Sequence, residues 1–221
     1  DQSQIVKIPS NMDMKAASLL ACGVITGVGA VVNAAALRAG QDVVVIGAGG
    51  VGLNAIQGAR IAGARRIVAV DMSPEKLAIA KDFGATDGVL ASDPAPWDAA
   101  RAIIGRGADA VFVTVGIVPV YNQAPKYLAA GGKVVMVGMP HIGADATYDP
   151  GSMASVGQGM IGSKMGDTVI SRDIPWMVDL YQQGRLKLDE LVSGTWTLDQ
   201  INEAIADTKT GSAKRNVIVF D

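Results

Sequence analysis

The run Val43-Val44-Val45-Ile46-Gly47-Ala48-Gly49-Gly50-Val51-Gly52 constrains this chain more than any other feature. A β-branched strand runs straight into glycines, and a helix pattern, Leu53 to Ala62, follows at once. Further on, Asp71 closes a second apolar run, Arg66-Ile67-Val68-Ala69-Val70. G-x-G-x-x-G is a weak signal alone, since 27 of the 221 residues are glycine. Between a strand and a helix, with an acidic residue ending the next strand, it reads as a dinucleotide-binding turn. The bland alternative is a glycine-rich turn with Asp71 capping the next helix.

Each position of the motif has a physical task. Gly47 allows the tight turn out of the strand, Gly49 lets the backbone approach a pyrophosphate, and Gly52 lets the helix pack closely on the sheet. The free amides of the helix's first turn, Gly50 and Val51 among them, then face the anion. Asp71 can accept hydrogen bonds from both hydroxyls of an adenosine ribose, whereas a 2′-phosphate there would meet its negative charge. NAD is therefore favoured over NADP.

Around that motif, strand and helix patterns alternate. Strands are predicted near 43–47, 66–71, 88–90, 109–115, 133–138 and 156–161, with helices near 50–62, 74–83, 97–104 and 120–129. Ser73-Pro74 is a good helix start, an acceptor side chain followed by proline at the first position. Such alternation means an α/β fold with a doubly wound, parallel, six-stranded Rossmann sheet. Val111 to Gly116 would open its second half, with the cofactor across both. Two small-residue helices, Asp13 to Cys22 and Thr26 to Leu37, come first. After residue 165 the rhythm changes. A helix from Ser171 to about Gln183, a capping box at Thr197-Leu198-Asp199-Gln200 opening a helix to about Lys209, and a strand from Asn216 to Phe220 are expected.

Composition narrows the class. Hydrophobic residues make up 49% and aromatics 5%, a balance that suits a parallel sheet covered by small-residue helices. Net charge is −2, with basic and acidic residues interspersed, so no nucleic-acid or anionic-membrane surface is expected. A single cysteine, Cys22, excludes an internal disulfide and argues for the reducing cytoplasm. The apolar run from Gly23 to Leu37 is interrupted by Thr26, Asn33 and glycines, and is read as neither signal peptide nor membrane span. The first residue is Asp1, and Ile5-Val6-Lys7-Ile8-Pro9 reads as the tail of a strand, so the chain is expected to be a piece of something longer.

With the motif, Cys22-Gly23-Val24-Ile25-Thr26-Gly27 and Lys214-Arg215-Asn216-Val217-Ile218-Val219-Phe220 in order, the chain resembles zinc-dependent alcohol dehydrogenases of the medium-chain dehydrogenase/reductase superfamily. The match is to their cofactor half. It implies that residues 1–38 hold the end of a catalytic domain and connecting helices, 39–165 the NAD-binding domain, and 166–221 a returning segment. By the same resemblance Cys22 aligns with a catalytic zinc ligand, Thr26 with a residue on the nicotinamide face, and Arg215 with a pyrophosphate-pairing arginine. Val115, Val137 and Met139, ending the fourth and fifth strands, would line the nicotinamide pocket, and Met72 and Lys76 would reach the adenosine side. A bland reading stands beside each. Cys22 would be a buried small hydrophobe, Thr26 a hydroxyl bonded to its own helix, the apolar three sheet core, Lys76 a solvated lysine and Arg215 a rim charge.

His141 matches no catalytic position and reads as a plain loop residue, and Met153, Met160, Met165 and Met177 read as packing. The resemblance implies an NAD- and zinc-dependent oxidoreductase acting on an alcohol or aldehyde adduct, assembled as a homodimer through the sixth strand, Val156 to Ile161. This chain alone would bind NAD but turn nothing over. The alternatives are a zinc-free quinone or enoyl reductase of the same superfamily, against which Asp71 and Cys22 argue, and a non-enzymatic NAD-binding module.

Overall fold

Val43, Val44 and Val45 are wholly buried, as a strand covered on both faces requires, and each such side chain contributes about 1.5–3 kcal/mol. In the computed structural model, which describes residues 1–211 and 213–220, they form the centre of β1, Asp42–Ile46. In chain order the helices are α1 Met14–Leu19, α2 Ile25–Gly29, α3 Gly50–Ile61, α4 Pro74–Asp82, α5 Pro96–Ile104, α6 Val118–Gln123, α7 Pro150–Ser155, α8 Ile170–Gln182 and α9 Ile201–Thr210. The further strands are β2 Arg66–Asp71, β3 Asp87–Leu90, β4 Ala108–Val113, β5 Leu128–Met136, β6 Gly159–Gly162, β7 Val192–Trp196 and β8 Arg215–Ile218.

The chain divides into two compact units, Asp1–Ile25 with Thr168–Asp221, and Thr26–Asp167. The second unit carries one parallel sheet in the order β3-β2-β1-β4-β5-β6. This is the doubly wound order, with the strand sequence reversing between β1 and β4. Its core is built from Val44, Val68, Val111, Val113 and Val134, closed by Tyr121, Tyr127 and Leu128. The first unit holds the parallel pair β7-β8 and a core from α8 and the turn after it, including Ile174, Met177, Val178, Leu186, Leu188 and Leu191.

Several boundaries differ from the sequence expectation for identifiable reasons. β6 begins at Gly159, because Asp149 caps the unanticipated helix α7, whose last turn ends at Val156. The helix expected over 120–129 stops at Gln123. Pro125 sits in a tight turn at Ala124–Tyr127, and Leu128 to Ala130 already belong to β5. α8 starts at Ile170 rather than Ser171; Asp173 reaches back to accept the Val169 amide at 2.9 Å. The Thr197–Gln200 capping box forms, followed by α9, and the last strand is 215–218. Residues 5–9 form no strand, and β7 was not anticipated. The helical run Met14–Ala34 is long and apolar enough to cross a membrane by length and composition (mean hydropathy 1.8), but 61% of its apolar stretch is buried in the protein, as in a core helix.

Candidate functional site

The carboxyl end of β1 turns through Gly47, whose φ of +99° suits glycine and whose place a Cβ would take only 2.6 Å from Thr114 Oγ1. That Thr114 hydroxyl contacts the carbonyls of Ile46 and Gly47, at 2.9 and 3.0 Å, and pins the turn. Gly52 then seats α3 against the turn so closely that a Cβ would lie 1.8 Å from the Gly47 carbonyl oxygen. A Cβ on Gly49, by contrast, would meet nothing within 4 Å. Space is therefore open in front of the helix. The first intrahelical bond is Leu53 N to Gly49 O at 2.8 Å, which leaves the amides of Gly50, Val51 and Gly52 without helical acceptors and at the positive end of the helix.

Asp71, half-buried at the end of β2, ties this loop to the next helix. Its Oδ2 accepts the Ala48 amide at 2.7 Å and its Oδ1 the Ser73 amide at 3.0 Å. A carboxylate oxygen accepts two hydrogen bonds, so each keeps a free lone pair. Ser73 caps α4 through the Lys76 amide at 3.3 Å. Asp71, Met72, Lys76, Gly47 and Val115 line one cleft of about 470 Å³, whose further walls are Ala91, Pro96, Ile117, Pro119, Val120, Gln123 and Tyr127. An anion for the helix, two hydroxyls for the carboxylate and a flat, largely apolar base for the recess beside them are what an adenine dinucleotide offers, and these residues fit such a cofactor.

The other expected residues fall in several places. Val137 is buried and bonds through its amide to Val113 O at 3.0 Å, with Gly138 against the Val115 backbone; the Tyr121 hydroxyl donates to the Gly138 carbonyl. The ends of β4 and β5 are thus locked together. Met139 is 89% exposed and Met72 68% exposed, and neither is core. Thr26 turns its hydroxyl to the Met165 sulfur at 3.9 Å rather than to its own helix. His141 lies exposed in the loop after β5. Met153 and Met177 are buried packing, whereas Met165 is 41% exposed.

Cys22 and Arg215 belong to the first unit and share a small cavity of about 240 Å³ with Gly23, Ser18 and Asn216. The Arg215 guanidinium presses on Gly23, and its Nη2 is buried without a hydrogen-bond partner among the described residues. Cys22 is exposed, on a widened turn of helix over Leu20–Val24, so it is no buried hydrophobe. Among the described residues no three His, Cys, Asp or Glu groups cluster to hold a metal ion. A catalytic zinc takes three protein ligands and one open position, so this chain's residues alone do not fit that ion.

Thr114 and Tyr127 were missed by sequence reasoning. The strand order, which sets β4 beside β1, is the signal that would have found Thr114.

Comparison with known proteins agrees with this geometry. Residues 50–183 match the family model of the zinc-binding dehydrogenases. The NDMA-dependent alcohol dehydrogenase of Amycolatopsis methanolica is 34% identical over 99% of this chain and 60% of its own length. The S-(hydroxymethyl)glutathione dehydrogenase of Haemophilus influenzae is 36% identical over 98% of this chain and 58% of its own. Among solved structures, benzyl alcohol dehydrogenase from Acinetobacter calcoaceticus superimposes with a TM-score of 0.94 at 31% identity, over 98% of this chain and 59% of that one. The chain spans about three-fifths of the length of the curated relatives it matches. It belongs to the zinc-binding dehydrogenases of the medium-chain dehydrogenase/reductase superfamily.

Proposed function

We propose that this chain is the cofactor-binding part of an NAD-dependent alcohol dehydrogenase, which moves hydride between an alcohol or aldehyde adduct and NAD. The observation that carries the reading is the Asp71 carboxylate, fixed by the Ala48 and Ser73 amides at the cleft with a lone pair free on each oxygen. Gly49, Gly50, Val51 and Gly52 would receive the pyrophosphate, Asp71 the ribose hydroxyls, and Met72 and Lys76 the rim of the adenosine side. The bound nicotinamide supplies the hydride acceptor. Thr26, Val115, Val137 and Met139 would border its ring, and Arg215 would pair with phosphate. Zinc enters only with donors from outside these 221 residues, Cys22 contributing one thiolate.

The relatives named above act on dissimilar alcohols, so the substrate is proposed only as a small alcohol or aldehyde. β6 is an edge strand, paired with β5 alone in the sheet, and a second copy adding to it would give a homodimer. The lone Cys22 supports a reducing, cytoplasmic setting.

The test is separate titration with NADH and NADPH, read through emission excited from Trp97, Trp176 and Trp196. Saturable NADH binding with much weaker NADPH binding is expected. Asp71→Ala should weaken NADH about tenfold or more, the loss of hydrogen bonds to a charged group, and narrow the gap to NADPH. Equal affinity of the unaltered protein for both nucleotides would overturn the reading.

A further inference from the structure

The cleft crosses the carboxyl ends of β1, β2 and β3 in spatial order, from Gly47 through Asp71 to Ala91, whose amide bonds to the Asp71 carbonyl at 2.9 Å. With phosphate at the glycine loop and ribose at Asp71, the base comes to rest over the recess walled by Ala91, Pro96, Val120 and Tyr127. Three of these walls are apolar. Tyr127 is only 2% exposed, and its ring stands edge-on to Trp97, centroids 6.4 Å apart and planes at 87°. Its hydroxyl has no hydrogen-bond partner among the described residues, yet that oxygen is not sealed from solvent, and the residue lines the cleft.

A hydroxyl that has no partner among the described residues yet reaches the cleft is a donor open to whatever the cleft binds, exchanging a water for a ligand acceptor. The tyrosine is held by core packing: it lies in the cluster with Val111, Ala124 and Leu128, at the end of the tight turn that interrupts the expected helix. Its direction is thus set by the fold rather than by the ligand. Burial pushes the hydroxyl up to about 12, so it keeps its proton at physiological pH and acts as a donor.

We propose that Tyr127 is the residue that reads the base, its hydroxyl donating to a ring nitrogen, N1 or N7, of adenine. The inference rests on the nucleotide reading above and adds a base-specific contact to it. A purely apolar recess would accept any flat base of similar size. One fixed donor favours bases that present an acceptor at that point.

Calorimetric titration of the protein with AMP, 1-deaza-AMP and 7-deaza-AMP tests it. The unaltered protein is expected to bind one of the two analogues about three- to tenfold more weakly than AMP, the worth of one neutral hydrogen bond. Tyr127→Phe keeps the ring, should bind AMP with the same loss, and should no longer separate AMP from that analogue. A merely structural role would weaken all three ligands together and leave the gap in place. No gap in the unaltered protein, or a gap that persists in Tyr127→Phe, overturns the proposal. Should Tyr127→Phe fail to fold by near-ultraviolet circular dichroism, the gap in the unaltered protein decides alone, its presence supporting the contact and its absence refuting it. Failure to bind either NADH or AMP would break the nucleotide reading itself, whereas NADH binding without a deaza gap breaks this inference only.

Discussion

At the carboxyl end of the six-stranded sheet, the amides of Gly50, Val51 and Gly52 and a lone pair on each Asp71 oxygen remain open among the described residues. At the amino end of the same sheet, charged groups turn on one another. Asp42, wholly buried at the start of β1, receives Arg65 Nη2 at 2.7 Å and Arg106 Nη2 at 2.9 Å. Asp109, at the start of β4, takes both Arg106 nitrogens, at 3.0 and 2.5 Å, and the Asp42 amide at 2.8 Å. One end holds capacity for a ligand, and the other clamps the strands at their beginnings. Parallel strands make this division natural, since all their beginnings share one edge and all their ends the other.

The largest expected effect isolates the clamp. Replacing Arg65 and Arg106 together by alanine leaves the buried Asp42 carboxylate without a counter-charge, and should cost about 3 kcal/mol or more in urea unfolding. NADH affinity, set at the far end, should stay within about twofold. A large loss of affinity in a still-folded double variant would show that the two ends are not independent.

The next effect strikes the open end. Gly52→Ala places a methyl against the Gly47 carbonyl, so stability should fall by about 1–3 kcal/mol, with NADH affinity down by about tenfold as the loop and α3 separate. An alanine variant that binds normally would mean that the close approach is incidental to the site.

Acid sharpens the comparison further. Burial alone would raise the Asp109 carboxyl, but hydrogen bonds from Arg106 and the Asp42 amide, with the charges of Arg106 and Arg65, outweigh it and hold it below the usual carboxylate value. A group depressed in the folded state stabilises above its unfolded value, near pH ~4, and that contribution is lost as pH falls through the lower folded value. Denaturant midpoints measured from about pH 4 to about pH 2 should therefore fall faster in the unaltered protein than in Asp109→Asn. Parallel curves would remove Asp109 from the clamp. The smallest effect is that of Lys76→Ala, a half-buried helix-face charge at the cleft rim, expected to change NADH affinity by about twofold at low salt and less at high salt.

The open end was far more legible in the sequence than the clamp. Contiguous Val and Ile runs marked β1 and β2, and Gly47 to Gly52 with Asp71 are local signals tied to those runs. Ser73-Pro74 and Thr197 to Gln200 carry their helix starts in four residues or fewer. Asp42, Arg65, Arg106 and Asp109 have no shared motif, and only the register, Asp42 opposite Arg66 and Val43 opposite Ala110, brings them together. Leu128 to Gly132 resembles a helix end and turn, which hid the first half of β5. Tyr127 was invisible as a site residue because its place depends on where α6 stops, and Pro125 alone did not reveal that.

The Thr114 hydroxyl has a consequence for how the molecule comes into being. Asp71 and Ala48 are 23 residues apart and can meet within one strand-helix-strand hairpin, but Thr114 reaches Ile46 across 68 residues. The glycine turn therefore acquires its final shape only after the two halves of the sheet have zipped together, a long-range event that pays loop-closure entropy before it is rewarded. In refolding experiments the capacity to hold nucleotide is therefore expected to return after the bulk helical signal, and nucleotide added during refolding should draw the chain toward that completed state by mass action.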